Sequence, residues 1–209
     1  MKHPLFARIY TKARPALDQQ GAAEHRRRLL AGAAGRVIEV GAGDGGNFTH
    51  YPPEVTGVLA VEPEPYLRAQ AERQAESAPI DVEVVEGTAD RLPAADASAD
   101  VVVVSLVLCS VPDQQVALAE ARRVLRPGGE LRFYEHVAAE PGTPLATVQK
   151  VADATLWPLF VGGCHTHRDT PAAITAAGFE IEALDEFRFP PDRVTPASPH
   201  VLGRARLRA

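Results

Sequence analysis

The sequence predicts an α/β protein built on a doubly wound, mostly parallel sheet that closes with an antiparallel pair. Three observations predict it. Short β-rich runs alternate with amphipathic stretches of helical length across residues 36–136, the pattern of linked βαβ units. Residues 100–105 read DVVVVS, apolar on both pleat faces, as a strand covered by helices on each side must be. A glycine cluster at 41–46 follows the first run, where such a sheet turns from strand to helix and meets its ligands. With 209 residues, 45% of them hydrophobic and 23% charged, the chain can build a sizeable core, which excludes a disordered or collagen-like protein.

The elements follow in order. The first 35 residues carry apolar positions (Leu5, Phe6, Ile9, Tyr10, Leu17, Leu29, Leu30) and a charged cluster, and stop at Gly32 and Gly35. They read as N-terminal helices over 1–31. A strand over 36–40 enters the glycine cluster and a second, over 57–61, ends at Glu62; the segment between them has the length of a helix plus a turn. Residues 65–78 form a surface helix with Leu67, Ala71 and Ala75 on one face, followed by strands at 81–86 and 100–105. The helix over 113–125 points Val116, Leu118, Val124 and Leu125 inward and is stopped by Pro127-Gly128-Gly129, from which a fifth strand, 130–136, departs. A stretch at about 138–168 holding Trp157 and Phe160 is too long for a plain connection and reads as an insertion capping the site. Alternating runs at 179–187 and 200–207 make the terminal pair of one continuous domain, 1–209.

Composition narrows the function. With 22 Lys+Arg against 27 Asp+Glu the net charge is −5, a poor match to a phosphate backbone, so no nucleic-acid partner is expected. Two cysteines, Cys109 and Cys164, are too few for a disulfide framework and point to a reducing, cytoplasmic setting. The longest uncharged run, 101–112, is far short of the roughly 20 residues that span a bilayer, so no transmembrane segment is expected.

The chemistry should lie just after residues 40, 62, 87, 105 and 136, beyond the carboxyl ends of the strands. Glycines 41, 43 and 46 satisfy the G-x-G-x-x-G of a nicotinamide-binding turn, but Glu39, two residues before the first, would face a pyrophosphate with the wrong charge. It suits a ligand carrying an ammonium group. Glu62 ends the second strand, placed to accept hydrogen bonds from two ribose hydroxyls.

At these residues the chain resembles the class I S-adenosylmethionine-dependent methyltransferases. Gly87-Thr88-Ala89-Asp90 with Leu92-Pro93, Ser98-x-Asp100 and Arg123-Val124-Leu125-Arg126-Pro127-Gly128-Gly129 extend the resemblance over about residues 35–136. It implies a Rossmann-like, seven-stranded, mostly parallel sheet with a terminal antiparallel strand, and S-adenosylmethionine as cofactor. It further implies that Glu39, Gly41, Ala42, Gly43 and Asn47 surround the methionine portion, Glu62 and Pro63 the ribose, Thr88 and Ala89 the adenine, with Ser105 at the end of the fourth strand. Asn47 could instead cap the short helix there.

A closer resemblance is to the methyltransferase-like group that includes the mammalian microsomal alkyl-thiol S-methyltransferases. It rests on Asn47-Phe48 with Tyr51-Pro52-Pro53, Val107-Leu108-Cys109-Ser110-Val111, Glu135-His136-Val137-Ala138-Ala139-Glu140, Gly163-Cys164 with Arg168, and Pro199-His200. This resemblance implies a small-molecule thiol substrate. Two departures stand out: the mammalian members' N-terminal hydrophobic segment has no counterpart here, and His165-Thr166-His167 is not expected of the group.

Methyl transfer to a thiol requires alignment of the nucleophile, exclusion of water and a means of making the thiolate. His136, ending the fifth strand, is the first candidate base, and His165 in the insertion the second. Each has a plainer alternative, a backbone or Glu135 hydrogen bond for His136 and an exposed loop for His165. Tyr10, Trp157, Phe160 and Cys109 are candidate substrate contacts, with core packing as the alternative. Cys164 beside His165 and His167 suggests zinc, but no second ligand pair of regular spacing accompanies it, so no metal is expected. An N-, O- or C-methyltransferase acting on another small or lipid acceptor is the alternative function, because one fold hosts many acceptors.

Overall fold

The computed structural model describes residues 3–207, and its helices begin where prolines and acceptor side chains permit. Helix α1 (Pro4–Leu17) opens on a proline and runs through a five-residue π-turn, Asp18–Ala22, into α2 (Ala23–Leu30). Gly21, at φ 126°, makes the kink between them, a conformation open to glycine alone. Strand β1 (Gly35–Val40) leads through the glycine cluster to β2 (Val55–Val61), then α3 (Pro65–Ala75), β3 (Val82–Val85), β4 (Ala99–Ser105) and α4 (Gln114–Val124). Next come β5 (Leu125–His136), α5 (Pro144–Asp153), α6 (Trp157–Phe160), α7 (Thr170–Ala176), β6 (Phe179–Arg188) and β7 (Pro199–Leu207). Side-chain caps start α3 at Glu64, α4 at Asp113, α5 at Thr143 and α7 at Asp169, each satisfying a backbone N–H that the first turn leaves free.

The seven strands lie in the order β3-β2-β1-β4-β5-β7-β6. All neighbours are parallel except β7, which is antiparallel to both β5 and β6. Reversal between β1 and β4 makes the switch point at which open α/β sheets bind ligands. The doubly apolar β4 sits at the centre, as expected. Val102 and Val104 pack with α4 and Phe133 on one face, and Val101 and Val103 with Leu29, Leu30 and Tyr134 on the other.

Four expectations change. Only a short 3-10 turn, Phe48–His50, lies between β1 and β2, because Gly45 and Gly46 before it and Pro52 and Pro53 after it leave no room for a longer helix. Val116 on α4 is 44% exposed, and Ala117, Leu118, Ala121 and Val124 form the buried face instead, one position further round the helical period. Strand β5 begins at Leu125, so Pro127-Gly128-Gly129 shifts its register against β4 rather than preceding it. A further helix, α7, stands where no element was assigned. The expected insertion contains α5 and α6. Among the described residues no helix is long and apolar enough to cross a membrane.

Candidate active site

The carboxyl ends of β1 and β2 form one half of the site. Glu39 is buried; its Oε1 accepts from Asn47 Nδ2 at 2.9 Å and its Oε2 from the Tyr51 hydroxyl at 2.7 Å. Burial pushes its carboxyl up to about 7 against the pull of those two bonds. Asn47 thus fixes Glu39 and makes no side-chain cap. Its Oδ1, like Asp44 Oδ1, is a buried acceptor without a donor, a feature that calls for an outside partner. Gly41, at φ 65°, would drive a Cβ to 2.6 Å from Val107 Cγ2, so only glycine serves there.

Helix α1 covers this loop. Tyr10 lies 3.7 Å from where a Cβ of Gly43 would stand, and Arg14 Nε donates to Asp44 Oδ2 at 2.7 Å. Arg14 also pairs with Asp18, which in turn binds Arg26. Across the loop, Glu62 takes Gly43 N–H on Oε2 at 2.8 Å and Glu64 N–H on Oε1 at 2.9 Å. A carboxylate offers about four lone-pair sites, so both oxygens keep capacity for a further donor. Burial pushes Glu62 up to about 7. Pro63 follows it directly; Thr88 and Ala89 stand in the turn after β3, beside Gly87, whose Cβ would fall 2.7 Å from Val61. The set of unpaired acceptors beside a glycine cradle, with a half-used carboxylate opposite, fits a ligand bearing an ammonium group and a diol.

The carboxyl ends of β4 and β5 form the other half. Ser105 closes β4 in register with Tyr134, and Leu106 adopts φ 60°, strain of a kind that clusters at functional sites. Buried Glu135 holds the following turn, accepting from the N–H groups of Val107, Leu108 and Cys109 at 2.8, 3.0 and 3.3 Å; burial raises its carboxyl to about 8.

That turn delivers Cys109 to His136 and Cys164, all three buried. His136 Nε2 stands 3.2 Å from Cys164 Sγ, and Trp157 Nε1 donates to the same sulfur at 3.4 Å. His136 Nδ1 is buried with no hydrogen-bond partner among the described residues. A hydrogen bond from Cys164, and then the His136 ring, hold the Cys109 thiol well below its ordinary value. The Cys109 bond and burial push Cys164 up. Burial opposes protonation of His136, but the Cys109 charge outweighs it and raises the ring.

A cavity of about 160 Å³ is lined by Tyr10, Leu106, Tyr134, Phe189 and His200, among others, and by none of the three cluster residues; it adjoins them through His200. His200 meets His136 edge-on at 5.8 Å between ring centroids. A larger hollow of about 300 Å³ lies at the amino ends of the strands. Its Arg126 is paired with Asp100, and its Arg204 and Arg206 with Glu182, so it offers little free charge.

Two sequence candidates stand elsewhere. His165 donates its backbone N–H to Cys109 O at 2.8 Å, but its ring faces Asp153 at 3.9 Å. Phe160 is 64% exposed and lines neither cavity; on a four-residue helix a position three residues from half-buried Trp157 can still turn outward. Several residues given no role in the sequence reading prove central: Tyr51, Arg14, Asp44 and Glu135. Glu135 could have been suspected as an acid inside an apolar strand; Tyr51 and Arg14 find their partners only through the fold.

Comparison with known proteins agrees with this geometry. Residues 38–133 match the family model described as a methyltransferase domain. The chain is 40% identical over 181 residues to human thiol S-methyltransferase TMT1B, covering 84% of this chain and 73% of that protein. To human thiol S-methyltransferase TMT1A it is 38% identical over the same shares. A SAM-dependent methyltransferase of known structure from Thermotoga maritima superposes with TM-score 0.66 at 20% identity, covering 97% of this chain and 100% of that one.

Proposed function

The chain belongs to the thiol S-methyltransferase family, and from that premise we propose how its residues carry S-adenosylmethionine-dependent methylation of small-molecule thiols. When bound, the cofactor supplies a methyl group on a positively charged sulfur, and in-line transfer to a thiolate cancels both charges. Asn47 Oδ1, backed by Glu39, and Asp44 Oδ1 receive the cofactor's ammonium group, and Glu62 receives the ribose hydroxyls. Pro63 stands beside Glu62 at the ribose, Thr88 and Ala89 border the base, and Gly41, Ala42 and Gly43 admit the methionine portion without side-chain obstruction. Tyr10 closes over the loop from α1 and excludes water, which would otherwise solvate the nucleophile.

The acceptor enters beside Leu106, Tyr134 and His200, with Cys109 bordering its reactive end and Trp157 backing Cys164, while Ser105 at the end of β4 borders the cofactor. The observation that carries this reading is the unpaired, buried Nδ1 of His136, a nitrogen placed to take the acceptor's proton while Nε2 is anchored on Cys164. A thiol of ordinary pKa, about 8.5, is only about 3% ionised at pH 7, so a positioned base gains a factor of up to roughly 30. His165 has no part in this step, its ring being turned to Asp153. The compartment is the cytoplasm, whose reducing conditions keep Cys109 and Cys164 as thiols. The partner is a small molecule rather than a nucleic acid, in keeping with the net charge of −5.

Labelled S-adenosylmethionine offered with an alkyl thiol, a reduced dithiol, a phenol and an amine tests the acceptor class. Product from the thiols alone is expected; product from the phenol or the amine alone would replace the acceptor assignment and leave the cofactor half intact.

A further inference from the structure

The atoms around His136 can do more than exchange a proton. Cys109 Sγ, Cys164 Sγ and a ring nitrogen of His136 lie within 4.8 Å of one another, all on buried residues. A tetrahedral zinc ion, with Zn–S near 2.3 Å and Zn–N near 2.0–2.1 Å, holds its ligand atoms about 3.5–3.8 Å apart. The 3.2 Å between Cys164 Sγ and His136 Nε2 is within a few tenths of an ångström of that spacing. Two thiolates and an imidazole are a ligand set that zinc takes, with one position left open.

The three ligands are also held in place before any ion arrives. Glu135 accepts the N–H of Cys109, and the next residue in β5 is His136 itself. His165 N–H donates to Cys109 O, which joins the two cysteine-bearing turns. Arg168 donates to the carbonyls of Leu108 and Val111, at 2.7 Å each, and so closes the same turn from the other side. A site whose ligand-bearing segments are fixed by their own hydrogen bonds needs little rearrangement to bind. The cluster is drawn from the end of β5 and two separate turns, which is why sequence spacing pointed instead to His165 and His167.

We propose that Cys109 Sγ, Cys164 Sγ and His136 Nε2 bind one zinc ion, and that zinc loading switches off proton uptake at His136 Nδ1. Coordination releases the remaining thiol protons to solvent. The lone pair of Nε2 goes to the metal, so the one proton of the neutral ring sits on Nδ1. That nitrogen can then donate but no longer accept. The switch rests on the thiol-methylating reading above; the metal site does not.

Metal-free protein, in buffer without added thiol, is titrated with Co²⁺ and then Zn²⁺. One Co²⁺ per chain with a sulfur-to-cobalt charge-transfer band is expected, bleached by an equivalent of Zn²⁺. Cys109→Ser and Cys164→Ser should each weaken zinc binding at least about tenfold. Absence of the band in the wild-type protein overturns the site, whether or not the variants fold; a band unchanged in both variants does the same. In a zinc-buffered assay, one equivalent of zinc should lower thiol methylation at least about tenfold, with a chelator restoring it. Turnover unchanged or raised by zinc overturns the switch. If metal-free protein methylates no thiol at all, the acceptor reading falls while the cobalt band still decides the site.

Discussion

The two halves of the carboxyl edge of the sheet are built from different chemistry. Around β1 and β2 the polar groups are mostly carboxylate, amide and hydroxyl oxygens, of Glu39, Asp44, Asn47, Tyr51, Glu62 and Glu64, tied to backbone N–H groups, to Arg14 and to one another. Around β4 and β5, where the Glu135 carboxylate holds the turn, two sulfurs and an imidazole are brought together. The first half is suited to a ligand with many fixed hydrogen-bonding groups, held still through the reaction. The second suits a soft, polarisable atom whose protonation must change. On the proposed reading, binding and chemistry fall on opposite sides of the switch point between β1 and β4, so each should be open to damage with the other left intact.

Four experiments probe that division, from the largest expected effect to the smallest. Gly41→Val puts a side chain against Val107 at a backbone angle that valine resists; cofactor affinity by calorimetry should fall at least about 100-fold. Normal affinity would mean that the loop is not the cradle. His136→Asn should leave cofactor affinity unchanged and lower turnover with an alkyl thiol about 30-fold at pH 7. The deficit should vanish above about pH 9, where such a thiol ionises unaided. A uniform loss across the pH range would make His136 a positioning residue.

Glu62→Ala should weaken cofactor binding about tenfold, the worth of roughly 1.5 kcal/mol in hydrogen bonds to a charged group. The wild-type affinity carries a pH signature as well. Glu62 titrates near 7 in the free protein, and donors on the ligand favour its ionised form. Affinity should therefore rise as pH increases through 7, by at most tenfold per unit for one proton, and the rise should flatten in Glu62→Ala. Phe160→Ser, on the exposed face of α6, should change turnover less than about twofold. A large loss there would show that α6 turns inward during catalysis.

The same division governs what was legible in the sequence. Glu39, the glycines and Glu62 lie on β1, in the turn after it and at the end of β2, so their local spacing, together with the family resemblance, was enough to nominate the cofactor half. The parallel core was equally plain, since β4 is apolar on both faces. The acceptor half is assembled from Cys109, His136 and Cys164, each close to the others only after β5 has paired with β4 and the segment after α6 has folded back. From the sequence His136 was a candidate base and Cys109 a candidate substrate contact, but nothing in their spacing joined them to each other or to Cys164. Phe160 and Val116 show the other failure: on a four-residue helix, or at the margin of an apolar face, a single residue's type does not decide which way it points. Arg14 and Asp44 were hidden because an ion pair across separate elements leaves no periodic trace.

The turn that carries Cys109 hangs by three N–H groups from one carboxylate on the neighbouring strand. Until β5 docks, those N–H groups have no acceptor, so the shape of the turn depends on the pairing of β5 with β4. Cysteine is thus a built-in clock for completion of the sheet: an alkylating reagent added at successive times would modify Cys109 until Glu135 arrives and spare it afterwards.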